Sequence, residues 1–563
     1  MKKVLFAVIS FLLTLDLCSQ ASHTAAPAPA TRQLTAADWQ ADLRHLQQTV
    51  HKDYSFLFKK ITRADWDARV EKLYKDIPSM NEYEIMGGFS QVVSSFGYGH
   101  TDIAWSASPV KYHLAPVNFY WFSDGIYAEG ADKQYAGLVG ARLLKVEGMP
   151  VKEVLKAIKP LMPAENEQYF KAYSLDFLCI PEALLAQRII KKLKPSLTYT
   201  FEKDGKTFEQ TVTAVDAFRF PRTYGFTSPG SGWASMKTGQ ATPYYLKNLD
   251  RIYYYEYIPE SKTVYVRHRQ IQDEPDEDIP AFYKRVFDFI EKNDVEKLVL
   301  DVRLNGGGNN YKNKPIVTGI IENKKINQPG KLFVIIGRRT FSACQNLVNE
   351  LSNYTNALFV GEPTGENINF YGDNRRVELP NSKLPVFLSF AWWQDKPQWE
   401  NADWLAPHLA IDLGSDDYRN GKDPVLEACL RFSDKDPVLD PMAHLRKLFM
   451  AGKLDQVESE ARKMIADPAY RYYDFEGKIN RAGYDLLNAR QTDNALYVFA
   501  LNTKLYPASA NTWDSYAEAC WMAKKTEKAI EYYNKAIALD PDGVTGDNAR
   551  RMPKRIQEEK NQK

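Results

Sequence analysis

The sequence of 563 residues is poor in cysteine and histidine, with five of the first and eight of the second. Its cysteines are widely spaced, and no CxxC pair or His/Cys cluster occurs, which argues against a zinc site. The P-loop, GxGxxG and HExxH patterns are also missing. The 73 basic and 71 acidic residues nearly cancel, so charge gives no reason to expect a nucleic-acid partner. We therefore expect neither a metal nor another cofactor.

The N-terminal apolar run, Val4–Leu15, is too short to cross a bilayer as a helix, which takes about 20 residues. Two lysines precede this run, and the small residues of 19–21 follow it, an order typical of a secretory signal peptide. We predict a signal peptide over residues 1–21, a periplasmic or extracellular protein, and no transmembrane helix in the mature chain. A lipoprotein anchored at Cys18 is the less favoured alternative, because aspartate and leucine are poor residues before a lipidated cysteine.

Composition and periodicity divide the remaining chain into regions. A linker rich in alanine and proline occupies residues 22–35. Apolar residues at helical spacing predict an N-terminal helical region over 36–105. Short strands and helices mix over 106–217, which predicts an α+β region that is PDZ-like at most. Continuous apolar strands, the last of them predicted at Pro385–Ala391, alternate with helices over 218–437, a pattern typical of an α/β core whose sheet is covered by helices.

The C-terminal region, residues 438–563, contains an internal repeat. The segment Ala495–Pro507 parallels Ala529–Pro541 at a spacing of 529 − 495 = 34 residues. Because 34 residues is the tetratricopeptide period, we predict an all-α domain of helical repeats. Two roles stay open for these repeats, namely binding of a peptide or protein partner and packing as a cap on the rest of the chain.

A glycine-rich turn ends one predicted core strand. It runs from Asp301 to Gly308, and its last three residues are glycines. Glycines there allow close approach of the backbone to a ligand, and their N–H groups can form an oxyanion hole. We expect Asp301 and Arg303 to pair and to stabilise this loop.

Ser342 lies where the next predicted strand, Lys331–Gly337, gives way to a predicted helix. A helix N-terminus presents unpaired N–H groups, and a serine there is well placed to act as a nucleophile beside them. Serine is also a common helix cap, so its position alone does not distinguish the two roles.

Taken together, these motifs resemble the C-terminal-processing (tail-specific) and tricorn-core serine peptidases. The resemblance rests on Asp-x-Arg-x-Asn-x-Gly-Gly from Asp301, on Thr340–Ala343 and on Val360–Gly365, and it extends over roughly residues 36–430. It implies a ClpP/crotonase-like α/β core. It also implies hydrolysis of a peptide or protein substrate through an acyl-enzyme on Ser342.

The resemblance implies the base as well. One branch of the family uses a lysine shortly after the nucleophile, but this sequence has no lysine between Lys331 and Lys383 and carries Glu366 in the corresponding loop. The tricorn-like branch uses a histidine from the N-terminal region and a glutamate near the end. His100 and Glu400 match those two positions, and a histidine base suits neutral pH.

With Ser342 as nucleophile, the resemblance places the N–H groups of Gly307 and Ala343 in the oxyanion hole. Gly99 stands where the tricorn-type site has a serine that supports the glutamate, so the identity of a fourth catalytic residue is left open. His51 and His408 are less favoured as site residues. A catalytically silent protein that binds peptides or glycans in the same groove is the main alternative, and an esterase is another.

Overall fold

The structure is a computed structural model that describes residues 33–561 except 104, 106–109, 217–221, 229–231, 238–240, 400–401 and 434–437. The predicted signal peptide and Glu400 therefore lie outside the described residues. Among the residues that are described, no helix is long and apolar enough to cross a membrane. The chain divides into two compact units, and the second consists of Lys435–Lys563 with His408–Ala410.

The first unit begins with three helices, as the apolar spacing predicts. They are α1 (Ala36–Asp53), α2 (Arg63–Asp76) and α3 (Glu82–Ser94). The side chains of Thr35, Thr62 and Asn81 cap them by accepting hydrogen bonds from N–H groups of the first turn. Their apolar faces share one buried cluster, which also includes residues of a later β-hairpin.

A mixed α+β region follows, built on a largely antiparallel sheet. Its elements are β1 (His113–Leu114), β2 (Val117–Phe122), β3 (Gly125–Asp132), β4 (Arg142–Val146), β5 (Met149–Pro150), α4 (Val151–Ile158), α5 (Glu167–Tyr173), α6 (Pro181–Ala186), β6 (Ser196–Lys203), β7 (Lys206–Thr213), β8 (Val215–Asp216), β9 (Arg222–Thr223), β10 (Phe226–Thr227) and β11 (Trp233–Ser235). The main sheet has the order β11-β3-β4-β6-β7, with β2 paired to β3 and β5 paired to β4. Helix α5 is the element of this region that reaches the candidate site.

The α/β core follows. Its elements are β12 (Tyr253–Ile258), β13 (Thr263–His268), α7 (Ile279–Lys292), β14 (Lys297–Asp301), α8 (Lys314–Glu322), β15 (Leu332–Ile336), α9 (Ala343–Tyr354), β16 (Leu358–Gly361), β17 (Phe370–Glu378), β18 (Pro385–Trp393), α10 (Ser415–Arg419) and α11 (Pro424–Arg431). Strands β13 to β16 are parallel neighbours, and β12 pairs antiparallel with β13. The side chains of β13 to β16 are almost all buried, as expected for strands covered on both faces.

Two features of this core position the candidate site. The carboxyl ends of neighbouring parallel strands lie at one edge of a sheet, so the residues after β14 and β15 are brought together. The predicted strand Pro385–Ala391 does not join the main sheet. It forms β18, which pairs antiparallel with β17 in a separate hairpin.

The second unit is helical apart from a short strand, β19 (Leu409–Ala410). Its helices are α12 (Pro441–Met450), α13 (Leu454–Ala466), α14 (Phe475–Asn488), α15 (Thr492–Leu505), α16 (Ala510–Met522), α17 (Thr526–Leu539) and α18 (Val544–Asn561). Helices α15 and α17 begin 526 − 492 = 34 residues apart, which matches the spacing in the sequence. The predicted all-helical character is confirmed, and the tetratricopeptide assignment stays a prediction.

Candidate active site

Ser342 occupies a sharp turn between β15 and α9. Its φ of 56° and ψ of −130° lie in a region that costs a non-glycine residue of the order of 1–3 kcal/mol and that recurs at functional sites. A serine on a strained strand-to-helix turn is the arrangement of a nucleophile elbow. The Ser342 side chain makes no hydrogen bond that caps α9, so the turn does not use this serine as a cap.

The glycine-rich turn after β14 is held by a buried ion-pair network. Arg303 contacts Asp301 at 2.8 Å and donates two hydrogen bonds to Asp423, at 3.0 and 2.9 Å. Burial raises the pKa of the Asp301 carboxyl, and the positive charge of Arg303 opposes that rise. The predicted loop-stabilising pair is thus present in this structure, with Asp423 as an additional partner ahead of α11.

Gly307 lies directly against Ser342. Its φ is +100°, and a Cβ atom there would lie 2.6 Å from the Ser342 Cβ atom and 2.9 Å from the Ala343 nitrogen. The Gly307 N–H group donates to the Asn305 Oδ1 atom at 2.9 Å, so this expected oxyanion donor already has an acceptor. In the first turn of α9, Cys344 and Gln345 bond back to preceding carbonyls. The Ala343 N–H group is the helix N-terminal donor beside Gly307.

The loop after α3 brings His100 to Ser342. The His100 Nε2 atom lies 2.9 Å from the Ser342 Oγ atom, although 242 residues separate them in sequence. The imidazole stacks on the Phe341 ring with a centroid distance of 4.6 Å. Burial lowers the pKa of His100, which keeps the ring neutral and able to accept a proton over a wider pH range.

Hydrogen bonds to the β17–β18 hairpin fix the His100 loop. Asn374 donates to the His100 carbonyl oxygen at 3.2 Å. Asp102 exchanges two backbone hydrogen bonds with Phe387, at 3.0 and 2.9 Å. The Thr101 hydroxyl donates to the Ser389 hydroxyl at 2.8 Å. This hairpin therefore holds the His100 loop in place.

A carboxylate faces the other ring nitrogen of His100. The His100 Nδ1 atom lies 3.2 Å from the Glu366 Oε1 atom, and Glu366 is fully buried. The second Glu366 oxygen accepts the backbone N–H of Ser342. Burial raises the pKa of Glu366 well above its ordinary value. Ser342, His100 and Glu366 thus have the order of contacts found in a Ser-His-acid triad.

Glu366 was not among the residues predicted for the site. The family resemblance indicated only that it lies in the loop where the lysine-type branch has its base. That position was the available signal, since a residue in the loop after β16 lies near the Ser342 turn. The expected acid, Glu400, lies outside the described residues. Of the less favoured histidines, His51 lies 2.7 Å from Asp67 of helix α2, and His408 belongs to the second unit.

Comparison with known families identifies the core. Residues 262–411, which include the glycine-rich turn, the Ser342 elbow and Glu366, match Peptidase family S41. The chain contains a peptidase S41 domain. Peptidases of this family are serine proteases, so the chain is a serine-type peptidase. The S41 match begins within the α/β core and leaves out His100.

Solved structures resemble a larger part of this chain. A CPAF mutant shares 14% identity over 72% of this chain and 99% of its own, with a TM-score of 0.50, which supports a common fold. The photosystem II D1 C-terminal processing protease shares 15% identity over 71% of this chain and 99% of its own, with a TM-score of 0.34. A putative peptidase from Parabacteroides merdae shares 14% identity over 72% and 100%, with a TM-score of 0.35. A comparison with curated protein sequences found no match.

Proposed function

We propose that this S41 peptidase hydrolyses peptide bonds through an acyl-enzyme on Ser342, with His100 as general base. One observation carries the proposal, namely the 2.9 Å contact between the His100 Nε2 and Ser342 Oγ atoms. A serine hydroxyl is a weak nucleophile until a base takes its proton, and a neutral imidazole within hydrogen-bond distance can do so. Peptide and protein substrates follow from the assignment as a peptidase.

In the first step, the Ser342 Oγ atom attacks the carbonyl carbon of the scissile peptide, and its proton passes to the His100 Nε2 atom. The negative charge of Glu366, 3.2 Å from the Nδ1 atom, stabilises the imidazolium and fixes the orientation of the ring. His100 then gives the proton to the leaving amine as the C–N bond breaks. A water molecule attacks the acyl-enzyme by the same route and releases Ser342.

The developing oxyanion needs donors beside Ser342. We assign the Ala343 N–H group this role, because it lies at the N-terminus of α9 next to the nucleophile. Gly307 remains the second proposed donor, with the condition that its N–H group shares or leaves the Asn305 Oδ1 atom. The Ser342 N–H group does not serve, because it donates to Glu366.

The acid of the triad has two candidates. Glu366 is favoured by its contact with the His100 Nδ1 atom and by its burial. Glu400 is the candidate from the family resemblance. Substitution of each glutamate by glutamine distinguishes the two candidates, because only the residue that faces the imidazole should affect the proton transfer.

The function is tested with a fluorophosphonate probe and a peptide-library digest read by mass spectrometry. Wild-type protein should be labelled on Ser342 and should cleave peptides, whereas Ser342→Ala should do neither. Absence of labelling on a folded wild-type chain would favour the alternative of a silent peptide- or glycan-binding protein. Labelling with turnover of small esters but of no peptide in the library would favour an esterase.

Export belongs to the same proposal. The signal-peptide pattern predicts cleavage near Ala21 and a periplasmic or extracellular enzyme, with lipid anchoring at Cys18 less favoured. Intact-mass analysis of protein secreted by a bacterial host should show a mature chain that lacks the first residues. A cytoplasmic product that still begins at Met1 would contradict export.

The helical unit is proposed to be a tetratricopeptide-like domain that binds a protein partner or caps the chain. Its support is the 34-residue spacing between the starts of α15 and α17. Buried Ala495 and Ala529 occupy equivalent positions in these two helices. Ser342, His100 and Glu366 all lie before this unit. A folded truncation near Asp440 should therefore retain turnover of a short peptide, and complete loss of turnover would show that the repeats contribute to the site.

A further inference from the structure

A second buried carboxyl group lies behind the His100–Glu366 pair. Glu165, which is 8% exposed, comes shortly before helix α5 of the mixed α+β region. It is distant in sequence from all three triad residues, and the mechanism above does not use it. Burying a carboxyl group is costly unless its oxygens are hydrogen-bonded, so the partners of Glu165 indicate its role.

Both oxygens of Glu165 accept hydrogen bonds from the backbone of catalytic loops. The Oε1 atom accepts the Gly99 N–H at 2.7 Å, and the Oε2 atom accepts the Asn367 N–H at 3.0 Å. Gly99 immediately precedes His100, and Asn367 immediately follows Glu366. One carboxyl group thus bonds to the residue before the base and to the residue after the acid.

The residues next to Glu165 strengthen this link. The Asn166 side chain donates to the Thr364 carbonyl oxygen at 3.3 Å and to the Asp403 carbonyl oxygen at 2.6 Å. The Tyr169 hydroxyl donates to the Gly99 carbonyl oxygen at 3.3 Å. The start of α5 is therefore attached to the loop that carries His100 and to the loop that carries Glu366.

The carboxyl pair also interacts through charge. Burial, with the negative charge of Glu366 as a further cause, raises the pKa of Glu165 to about 7. Lys60 is the cation beside both carboxyl groups, and it donates to the Gly97 carbonyl oxygen at 2.7 Å. When the Asn367 amide is oriented to satisfy both of its neighbours, its oxygen accepts from Lys60 at 3.0 Å. Two carboxylates with one nearby lysine resist complete ionisation.

Other titratable groups act on the same cluster. Those that interact electrostatically with His100, Glu165 or Glu366 are Lys60, Asp102, Tyr169, Tyr173 and Asp373. Glu165 is the member of the cluster whose carboxyl group bonds directly to the backbone of both loops. It is therefore the one whose removal should change both geometry and ionisation.

We propose that Glu165 is a positioning residue of the active site, which joins the His100 loop to the Glu366 loop. Glu165 takes the place of the fourth residue of the site, which Gly99 cannot provide because it has no side chain. This inference rests on the proposed function, because it assumes that His100 and Glu366 act on Ser342.

The test compares Glu165→Gln and Glu165→Asp with wild type in the full chain, by kcat and KM for a peptide over pH 4 to 9. Glutamine keeps one acceptor but loses the charge and the second acceptor. Because a displacement of about 1 Å can cost roughly 10²-fold, we expect kcat to fall about 10- to 100-fold with little change in KM. The acid limb of the profile should move to higher pH, since Glu366 loses the interaction with the Glu165 carboxyl group that lowers its pKa.

Aspartate keeps the charge but is one methylene too short to reach both N–H groups. Glu165→Asp should therefore lower kcat while leaving the acid limb near its wild-type position. The matched control is Glu182→Gln. Glu182 is 1% exposed and accepts the His113 N–H at 3.1 Å within the mixed region. This substitution should lower thermal stability without moving the acid limb.

Wild-type kcat and an unmoved acid limb in a folded Glu165→Gln chain would overturn the inference. Should that chain not fold, wild-type kcat in Glu165→Asp would overturn it instead. A Glu165→Gln chain that only loses stability, like the Glu182→Gln control, would assign Glu165 to folding alone and would also overturn it. Failure of the proposed function is recognised separately, because the wild-type chain would then not be labelled by fluorophosphonate on Ser342.

Discussion

The two halves of this active site are built differently. The nucleophile half consists of turns at the ends of two adjacent parallel strands, where Gly307 follows β14 and Ser342 follows β15. The base half joins His100, Glu165 and Glu366 from loops up to 366 − 100 = 266 residues apart. Backbone pairing in a sheet brings the two turns of the first half together, whereas hydrogen bonds between loops hold the second half together. The nucleophile half should therefore respond mainly to steric changes, and the base half to changes in charge and pH.

The largest effects should come from the contact between the Ser342 hydroxyl and His100, which joins the halves. Ser342→Ala removes the proposed nucleophile, and His100→Ala removes its proposed base, so each should lower kcat by about 10⁴-fold or more. Because the two act as one unit, the double variant should lose little more than either single variant. The measurement is kcat for one peptide in all three variants. Near-normal turnover by His100→Ala would require another base.

The acid of the base half should give the next largest effect. Glu366→Gln keeps the shape of the side chain but removes the charge that faces the His100 Nδ1 atom, so kcat should fall by about 10²- to 10⁴-fold. Glu400→Gln is the matched comparison and should have the smaller effect. The reverse order of kcat values would make Glu400 the acid of the triad.

A steric change beside Ser342 should test the nucleophile half by itself. Gly307→Ala places a methyl group 2.6 Å from the Ser342 Cβ atom and forces an alanine to adopt a φ of +100°, so kcat should fall by about 10²-fold. Gly306→Ala is the control on the same turn, since a Cβ atom there meets nothing within 4 Å. Equal kcat values for the two variants would contradict the close packing of Gly307 on Ser342.

The smallest change should be a shift of the pH profile. Burial lowers the pKa of His100 and raises that of Glu366, and protonation of either group should lower activity as the pH falls. Activity should decline on the acid side, and the residual activity of Glu366→Gln should persist to lower pH than that of wild type. The measurement is kcat/KM against pH for both proteins. Superimposable acid limbs would assign the decline to another group.

Much of the fold could be predicted from local patterns. Apolar runs bounded by turns located the parallel strands, because a strand buried on both faces needs continuous apolar residues. The strand predicted at Pro385–Ala391 was found, but its partner was not foreseen. It pairs with β17, the strand just before it, and does not join the main sheet. Strand pairing depends on the turn between the two strands, which the apolar pattern of one strand does not report. In the second unit, the 34-residue spacing of the sequence recurs in α15 and α17, which have the same length.

The sequence by itself determined the nucleophile half. A glycine-rich turn and a serine each follow a buried strand, and parallel pairing brings such strand ends together. The tertiary structure alone decided which carboxylate faces His100, that Glu165 joins the two catalytic loops, and that the Gly307 N–H group is bonded to Asn305. The physical reason is the range of the interactions. Periodicity reports which residues share a face of one element, whereas a contact between loops depends on how distant elements pack.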